Sequence, residues 1–168
     1  MNSSLSFYYP KKDKISDELL ECILQLNQFN TPALGSLKNI EHLKELYFFS
    51  KFILVVKNKK SFIGFAVVMD GNSEYQSLNY KYFKKRFGSS FLYIDRVAVV
   101  SDFQNKSVGS LMYKHIYSIS LAIPFPLCCE VNTVPLNTQS LNFHKKMGFH
   151  NVDEIPFGKK RVAMLVRH

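Results

Sequence analysis

Hydrophobic and polar residues alternate with two different periods along the chain, and these periods predict its helices and strands. A helical period runs from Ile15 to Leu26, with Ser16 placed to cap it, and a second, shorter one covers Ile40 to Phe49. Two extended runs follow, Lys51 to Val56 and Ser61 to Met69, separated by four polar residues. The first part of the chain is therefore predicted to be two helices and an antiparallel hairpin.

The middle of the chain changes period twice. The segment Tyr75 to Gly88 is aromatic and basic, which we interpret as irregular or weakly helical surface structure, and Phe91 to Val100 is a clear strand. Strict alternation in that strand would place one set of side chains on a common face: Phe91, Tyr93, Asp95, Val97 and Val99. From Ser107 the period becomes helical and predicts an inward stripe: Val108, Leu111, Met112, His115, Ile116 and Ile119.

The last part of the chain predicts a strand, a helix and a final pair of strands. The strand is Leu127 to Val131, and the helix runs from a cap at Asn137 to Met147, with Gly148 at its carboxyl end. The final strands reach about Arg167. This order predicts a mixed α/β fold with hairpins at both ends, in one domain over residues 1–168.

Composition and charge narrow the class of protein. The chain has 168 residues with 46% hydrophobic content, and 22 basic against 13 acidic side chains give a net charge of +9, so an anionic partner is plausible. Its three cysteines suit neither a disulfide framework nor a zinc site, and the histidines show no ligand spacing, so we expect no metal. No signal or long apolar segment stands out, which favours a soluble, cytoplasmic protein that does not bind membranes.

The clearest candidate for an anion site is the junction between the strand that ends near Val100 and the helix that starts after Ser107. The loop consists of small and polar residues: Gln104, Asn105, Lys106, Ser107, Val108, Gly109 and Ser110. Backbone N–H groups at a helix amino terminus, with about half a positive charge from the helix dipole, favour a phosphate. Lys106 adds a full charge. The spacing fits neither a Walker loop nor a dinucleotide-binding loop.

Two motifs in this half of the chain resemble those of GNAT acetyltransferases. Gln104 to Gly109 resembles the family signature Q/R-x-x-G-x-G/A, with Ser107 in place of the first glycine. Asn137 to Phe149 resembles N-x-x-A/S-x-x-F/L-Y-x-x-x-G-F, with His144 in place of the tyrosine. The resemblance implies a GNAT fold, with a central, mostly antiparallel twisted sheet, a splayed parallel strand pair and flanking helices.

The resemblance also implies acetyl-CoA as the co-substrate of an N-acetyltransferase. Backbone groups of Val97, Ala98 and Val99 would bind the pantetheine arm, and an N–H group near Val99 would polarise the thioester. The loop Gln104 to Ser110 would bind the pyrophosphate. Asn137 and His144 would lie beside the cofactor.

Three side chains are candidates for acid and base chemistry. His144 stands where the family commonly has a tyrosine near the cofactor sulfur, so it is our candidate acid. Glu130 corresponds to a glutamate that serves as base in some N-terminal acetyltransferases of the family. Asp95 is the competing base, although Asp95 and Arg96 could equally form a structural ion pair. A solvent-mediated route without a dedicated base also stays open.

The acceptor side is predicted from aromatic and polar side chains. The candidates are Asn27, Tyr75, Asn79, Tyr80 and Tyr93. They allow a small-molecule or peptide amine and do not choose between them. A GNAT-fold acyl-CoA sensor without transfer activity is the main alternative, and a basic nucleic-acid-binding module is a weaker one that would require Tyr80 to Arg86 to bind RNA or DNA. We expect no nucleic acid partner, and a homodimer stays open.

Overall fold

The computed structural model describes residues 5–168 as a seven-stranded sheet with helices on both faces. The strands are Leu5–Tyr8 (β1), Phe52–Asn58 (β2), Ser61–Asp70 (β3), Leu92–Val99 (β4), Leu127–Val134 (β5), His150–Phe157 (β6) and Lys160–Arg167 (β7). Their order in the sheet is β1-β2-β3-β4-β5-β7-β6. The β4–β5 pair is parallel, and the other neighbouring pairs are antiparallel. The predicted fold class is confirmed.

Five helices of the described chain cover the sheet. They are Asp17–Phe29 (α1), Ile40–Phe49 (α2), Leu78–Phe87 (α3), Val108–Ala122 (α4) and Thr138–Lys146 (α5). Side chains of α1, α2 and α3 pack in a core on one face, and α4 and α5 pack on the other. None of the helices in residues 5–168 has the length and apolar character needed to cross a bilayer.

Local signals placed several element ends correctly. The Ser16 hydroxyl accepts a hydrogen bond from the Leu19 N–H at 3.3 Å, and the Asn137 side chain accepts one from the Ser140 N–H at 3.0 Å. Each bond satisfies a backbone donor that the first helical turn leaves unpaired. Gly148 follows α5 with φ 85°, a left-handed conformation that glycine adopts without steric cost.

The segment after Tyr75 is more regular than predicted. It forms α3, which Ser77 caps by accepting from the Tyr80 N–H at 3.0 Å. Tyr80 and Phe83 are fully buried and pack beside Phe91 and Tyr93 of the sheet. The expectation of irregular or weakly helical surface structure underestimated this segment, because Tyr80 and Phe83 form a buried helical face while Lys81, Lys84 and Lys85 are exposed.

A β-bulge in the β3–β4 ladder reverses the alternation of side chains along β4. Val67 pairs with Arg96 and Val68 pairs with Ile94, so Asp95 has no partner of its own. Tyr93 and Ala98 consequently belong to the same core, whereas Val97 packs on the opposite side. The predicted common face of Phe91, Tyr93, Asp95, Val97 and Val99 is wrong beyond Asp95, because one extra residue shifts the period.

The inward stripe of α4 also differs from the prediction. Its buried residues are Val108, Met112, Tyr113, Ile116 and Ser120. His115 is exposed and stacks on Phe7 of β1 with ring centroids 4.3 Å apart, and Leu111 is only partly buried. The helix is rotated so that Tyr113 points inward, where its hydroxyl finds a polar partner.

The parallel pair β4–β5 separates soon after it begins. Pairing is confined to Leu92 with Leu127 and Tyr93 with Cys128. Beyond these pairs, β4 continues to Val99 and β5 to Val134 without a shared ladder. The separation opens a cleft in the middle of the sheet.

Candidate active site

A cavity of about 420 Å³ lies at the cleft between β4 and β5. It is bounded by the loop between α1 and α2, the start of α3, both strands, α4, α5 and the β6–β7 hairpin. Of the residues predicted to form the site, eight line this cavity: Tyr75, Asn79, Tyr93, Asp95, Val97, Glu130, Asn137 and His144. The structure therefore brings together all three candidate catalytic side chains.

Glu130 is a carboxyl group of β5 that lines the cavity. Its Oε2 accepts a hydrogen bond from the Tyr93 hydroxyl at 2.8 Å. Burial, and then the negative charge of Asp95, raise the pKa of Glu130 to about 7, against the opposing effect of hydrogen bonds from Tyr93 and Asn79. A carboxyl group with that pKa exchanges protons readily at neutral pH.

Asp95 is held in an ion pair with Arg96. The Arg96 Nε donates to Asp95 Oδ2 at 2.8 Å, and both side chains are almost completely buried. Tyr75 adds a hydrogen bond to Asp95, and burial followed by the charge of Asp95 raises the pKa of the Tyr75 phenol. The pair is electrically neutral, so the ionised Glu130 would give this part of the cavity a net negative charge.

Two predicted acceptor contacts lie behind the cavity wall. Asn27 is 0% exposed, accepts from Arg96 Nη1 at 2.7 Å and donates to the Gly35 carbonyl at 3.1 Å. Tyr80 is also 0% exposed, and its hydroxyl donates to the carbonyl oxygens of Asp70 and Ser73. Both side chains support the wall and do not line the cavity, because their polar groups are used within the protein.

Asn79 has a side-chain oxygen that accepts no hydrogen bond from the described residues. Its side chain hydrogen-bonds Glu130, while its Oδ1 is buried without a partner in the described chain. A buried carbonyl oxygen without a donor is unfavourable by about 1–3 kcal/mol. Because Asn79 lines the cavity, a bound N–H donor beside Glu130 could satisfy it.

His144 is buried and lines the cavity from α5. Its Nδ1 lies 2.7 Å from the Ser140 carbonyl oxygen, and its Nε2 lies 2.7 Å from the Tyr113 hydroxyl. Burial lowers the pKa of His144, and the contact with the Ser140 carbonyl partly opposes this effect. The ring is therefore mainly neutral at neutral pH. Tyr113 also lines the cavity, and sequence reasoning missed it.

The predicted anion loop lies outside the cavity, beyond the end of β4. Gln104 Nε2 donates to the Val99 carbonyl at 3.0 Å, and Lys106 lies over the Phe103 ring at 5.4 Å. Ser107 occupies the position before α4 with φ 63°, and no side chain caps the helix there. The first-turn N–H groups of α4 therefore have no side-chain cap. This donor set fits a pyrophosphate, and Ser107 adopts the conformation for which glycine is normally used.

Residues 5–168 contain no cluster of three or more His, Cys, Asp or Glu side chains arranged to bind a metal. The titratable side chains described above are carboxylates, phenols, a guanidinium and an imidazole. The site combines a splayed parallel strand pair, a helix without a side-chain cap after the first of these strands, and a cavity lined by titratable side chains.

The protein belongs to the GNAT acetyltransferase family. Its family model, described as Acetyltransferase (GNAT) family, matches residues 17–149. None of the curated proteins matches the sequence significantly.

Solved structures share this fold at low sequence identity. Ard1 from Thermoplasma volcanium is 17% identical with a TM-score of 0.73, over 98% of this chain and 97% of that one. The ribosomal-protein-S18-alanine N-acetyltransferase from Escherichia coli is 11% identical with a TM-score of 0.67, over 97% and 92%. A GNAT family acetyltransferase from Elizabethkingia anophelis with acetyl-CoA bound is 15% identical with a TM-score of 0.66, over 99% of both chains.

Proposed function

We propose that the protein is an N-acetyltransferase that moves the acetyl group of acetyl-CoA to an amine by direct attack of the nitrogen on the thioester. The observation that carries this proposal is the position of Glu130, a carboxyl group with a pKa of about 7 in the cleft between separated parallel strands. We further propose that residues 1–168 act as one domain.

The co-substrate would be held by main-chain groups. The part of β4 around Val97, Ala98 and Val99 lies beyond its pairing with β5, so backbone groups on that edge are available to the pantetheine arm. The loop Gln104 to Ser110 would hold the pyrophosphate through the first-turn N–H groups of α4, with Lys106 as an added positive charge. Bound acetyl-CoA would supply the activated acyl group.

Glu130 would prepare the acceptor. An amine arrives mainly as an ammonium ion, which cannot attack, so one proton has to leave before the carbon–nitrogen bond forms. The Glu130 carboxylate, hydrogen-bonded to Tyr93, is placed to attract the ammonium ion and to take that proton. We assign Asp95 the role of fixing Arg96 and raising the pKa of Glu130, because its carboxylate is already bonded to Arg96 and Tyr75.

The acceptor end suits a primary amine. Its hydrogen-bond acceptors include the Glu130 carboxylate and Asn79 Oδ1, which has no partner within the described residues. Together these two groups can accept two hydrogen bonds from one ammonium group. One of the similar proteins is by name a ribosomal-protein-S18-alanine N-acetyltransferase, and another has acetyl-CoA bound. They support an amine acceptor and this co-substrate for the present chain.

The test combines binding with turnover. Calorimetry should show binding of acetyl-CoA and of desulfo-CoA, and free thiol should then appear with at least one amine from a panel of peptides, amino acids and polyamines. Longer acyl-CoA molecules in the same assay define the donor range. Absence of binding by both coenzymes would reject the proposal. Binding without thiol release across the panel would instead indicate an acyl-CoA sensor.

A further inference from the structure

The contact between Tyr113 and His144 joins two helices at the cavity. Tyr113 comes from α4 and His144 from α5, and the two polar atoms are 2.7 Å apart. Phe143 and Phe149 pack edge-on around the pair, with ring centroids 5.0–5.8 Å from those of Tyr113 and His144. Water therefore has little access except through the cavity, which both residues line.

Hydrogen-bond chemistry determines the direction of this contact. The Ser140 carbonyl oxygen can only accept, so the neutral His144 ring carries its hydrogen on Nδ1. The bare Nε2 then accepts from the Tyr113 hydroxyl. The Tyr113 oxygen keeps its lone pairs free for a donor in the cavity. The resting pair is thus arranged to receive a proton through Tyr113.

We propose that Tyr113 and His144 shuttle one proton from the attacking nitrogen of the acceptor to the leaving sulfur of the coenzyme. This proposal rests on the acetyl transfer proposed above. As the carbon–nitrogen bond forms, the nitrogen gives a proton to the Tyr113 oxygen while the original hydroxyl proton passes to His144 Nε2. As the carbon–sulfur bond breaks, its electron pair stays on sulfur, Tyr113 gives sulfur a proton, and His144 returns its proton to Tyr113.

The proton count closes with this pair and Glu130 together. An ammonium nitrogen loses two protons when it becomes an amide nitrogen, whereas the sulfur gains one. Glu130 passes the first proton to solvent, and the Tyr113–His144 pair carries the second to sulfur. One hydroxyl can serve both atoms because nitrogen and sulfur are bonded to the same carbon during the transfer. Tyr113 is then the catalytic group, and His144 acts through it.

The surroundings of the pair favour reversible proton transfer between Tyr113 and His144. Burial raises the pKa of Tyr113 far above its ordinary value and lowers that of His144, so neither residue carries a charge at rest. The other titratable and charged groups lining the cavity come from the α3 approach, β4, β5 and the β6–β7 hairpin: Tyr75, Tyr93, Asp95, Arg96, Cys129, Glu130 and Lys160. Among them, Cys129 and Glu130 are the groups that act electrostatically on Tyr113.

The family resemblance places a tyrosine at the position of His144. Here the hydroxyl comes from the neighbouring helix instead, and His144 holds it. The two positions therefore make a single functional unit, and exchange of either one alone should disable it. A double variant, Tyr113→Leu with His144→Tyr, should return a hydroxyl to the cavity. It should therefore recover part of the activity that each single variant loses.

The state of the pair can be measured on the free protein. We expect 15N NMR of labelled histidine at pH 7.5 to show His144 with hydrogen on Nδ1 and a hydrogen-bonded, bare Nε2. Tyr113→Phe should shift that Nε2 resonance. Tyr117→Phe is the matched control, one turn along α4, because its hydroxyl donates to the His168 carbonyl. A charged ring, or hydrogen on Nε2, would overturn the shuttle without touching the proposed function.

Kinetics supplies the second measurement. We expect Tyr113→Phe to lower kcat by about 10²-fold, as for loss of a general acid–base group, with little change in KM. The wild type should show a curved dependence of kcat on deuterium content, because two protons move together, and Tyr113→Phe a linear one. Thermal unfolding confirms that each variant is folded. Wild-type turnover in Tyr113→Phe would reject the shuttle alone, whereas a wild type without transfer to any amine would reject both proposals.

Discussion

Arg96 Nη1 donates a hydrogen bond of 2.7 Å to Asn27 Oδ1, and this bond joins β4 to a helix 69 residues earlier in the chain. The same nitrogen donates to the Gly35 carbonyl at 3.0 Å. Arg96 therefore fixes α1 and the loop after it against the strand that carries Asp95. The wall of the acceptor side is therefore held together by hydrogen bonds that Arg96 makes within the protein.

Asn27→Ala should destabilise the protein by about 1–3 kcal/mol, because a buried guanidinium N–H loses its partner. Urea unfolding measures the effect. Gln25→Ala, at an exposed position of the same helix, should change the free energy of unfolding by less than about 0.5 kcal/mol. Equal effects of the two substitutions would mean that the bond to Arg96 contributes nothing.

Glu130→Gln should remove the acidic limb of the pH profile for kcat/KM. In the wild type this limb should have an apparent pKa of about 7, since activity requires the ionised carboxylate. The variant should be slower by about 10²-fold at pH 8. Glu154→Gln, at a carboxylate on β6 that pairs with Arg161 at the surface, is the control and should keep the wild-type profile.

The same Glu130→Gln variant should be more stable than the wild type at pH 8. The folded-state pKa of about 7 lies above the usual value of 4.5, so the unfolded chain releases this proton first as pH rises. The wild type consequently loses stability between about pH 4.5 and 7, and the variant does not. The expected gain at pH 8 is on the order of 2 kcal/mol, and none should appear at pH 4. A gain that is the same at both pH values would contradict burial of the charge as its cause.

Asp95→Asn should shift the acidic limb to lower pH without abolishing it. Removal of the Asp95 charge removes one of the effects that raise the pKa of Glu130. The variant should also be less stable by about 3–5 kcal/mol, because Arg96 remains as a buried charge without its partner. Measurements at low temperature keep the variant folded. If Asp95 were itself the base, the limb would disappear in this variant and persist in Glu130→Gln.

Ser107→Gly should stabilise the protein by about 1 kcal/mol. The residue has φ 63°, a left-handed conformation that is unfavourable for residues other than glycine and asparagine. Ser110→Gly is the contrasting substitution, because Ser110 lies inside α4 and glycine there weakens the helix. Thermal unfolding of both variants gives the comparison, and stabilisation by both would exclude relief of the Ser107 backbone as the reason.

Sequence reasoning predicted elements whose signals are local. Ser16 and Asn137 are caps, and their side chains accept the expected N–H bonds within three residues. It failed where the deciding partner is distant in sequence. The bulge at Asp95 arises from the pairing of β4 with β3, and the residues adjacent to Asp95 in sequence do not predict it. The inward rotation of Tyr113 depends on His144, which is 31 residues later.

The candidate site divides in the same way. Glu130 and His144 were predicted from the family resemblance and Asp95 from its position on the strand, and all three line one cavity. The positions of Asn27 and Tyr80 behind its wall depend on hydrogen bonds to Arg96 and to two backbone carbonyls, which only the packed chain provides. The pKa of Glu130 likewise depends on the depth at which the carboxyl group lies.

The bulge at Asp95 divides β4 into two parts, in which odd-numbered and then even-numbered side chains face the same side of the sheet. Before it, Tyr93 is directed to the α1–α3 core, and after it Ala98 is directed to the same side. If Asp95 were instead paired with β3 in a regular ladder, the uninterrupted alternation would exchange the two faces of every β4 residue that follows. The guanidinium of Arg96 would then enter the apolar core beneath α4, and valines would replace it at the acceptor wall.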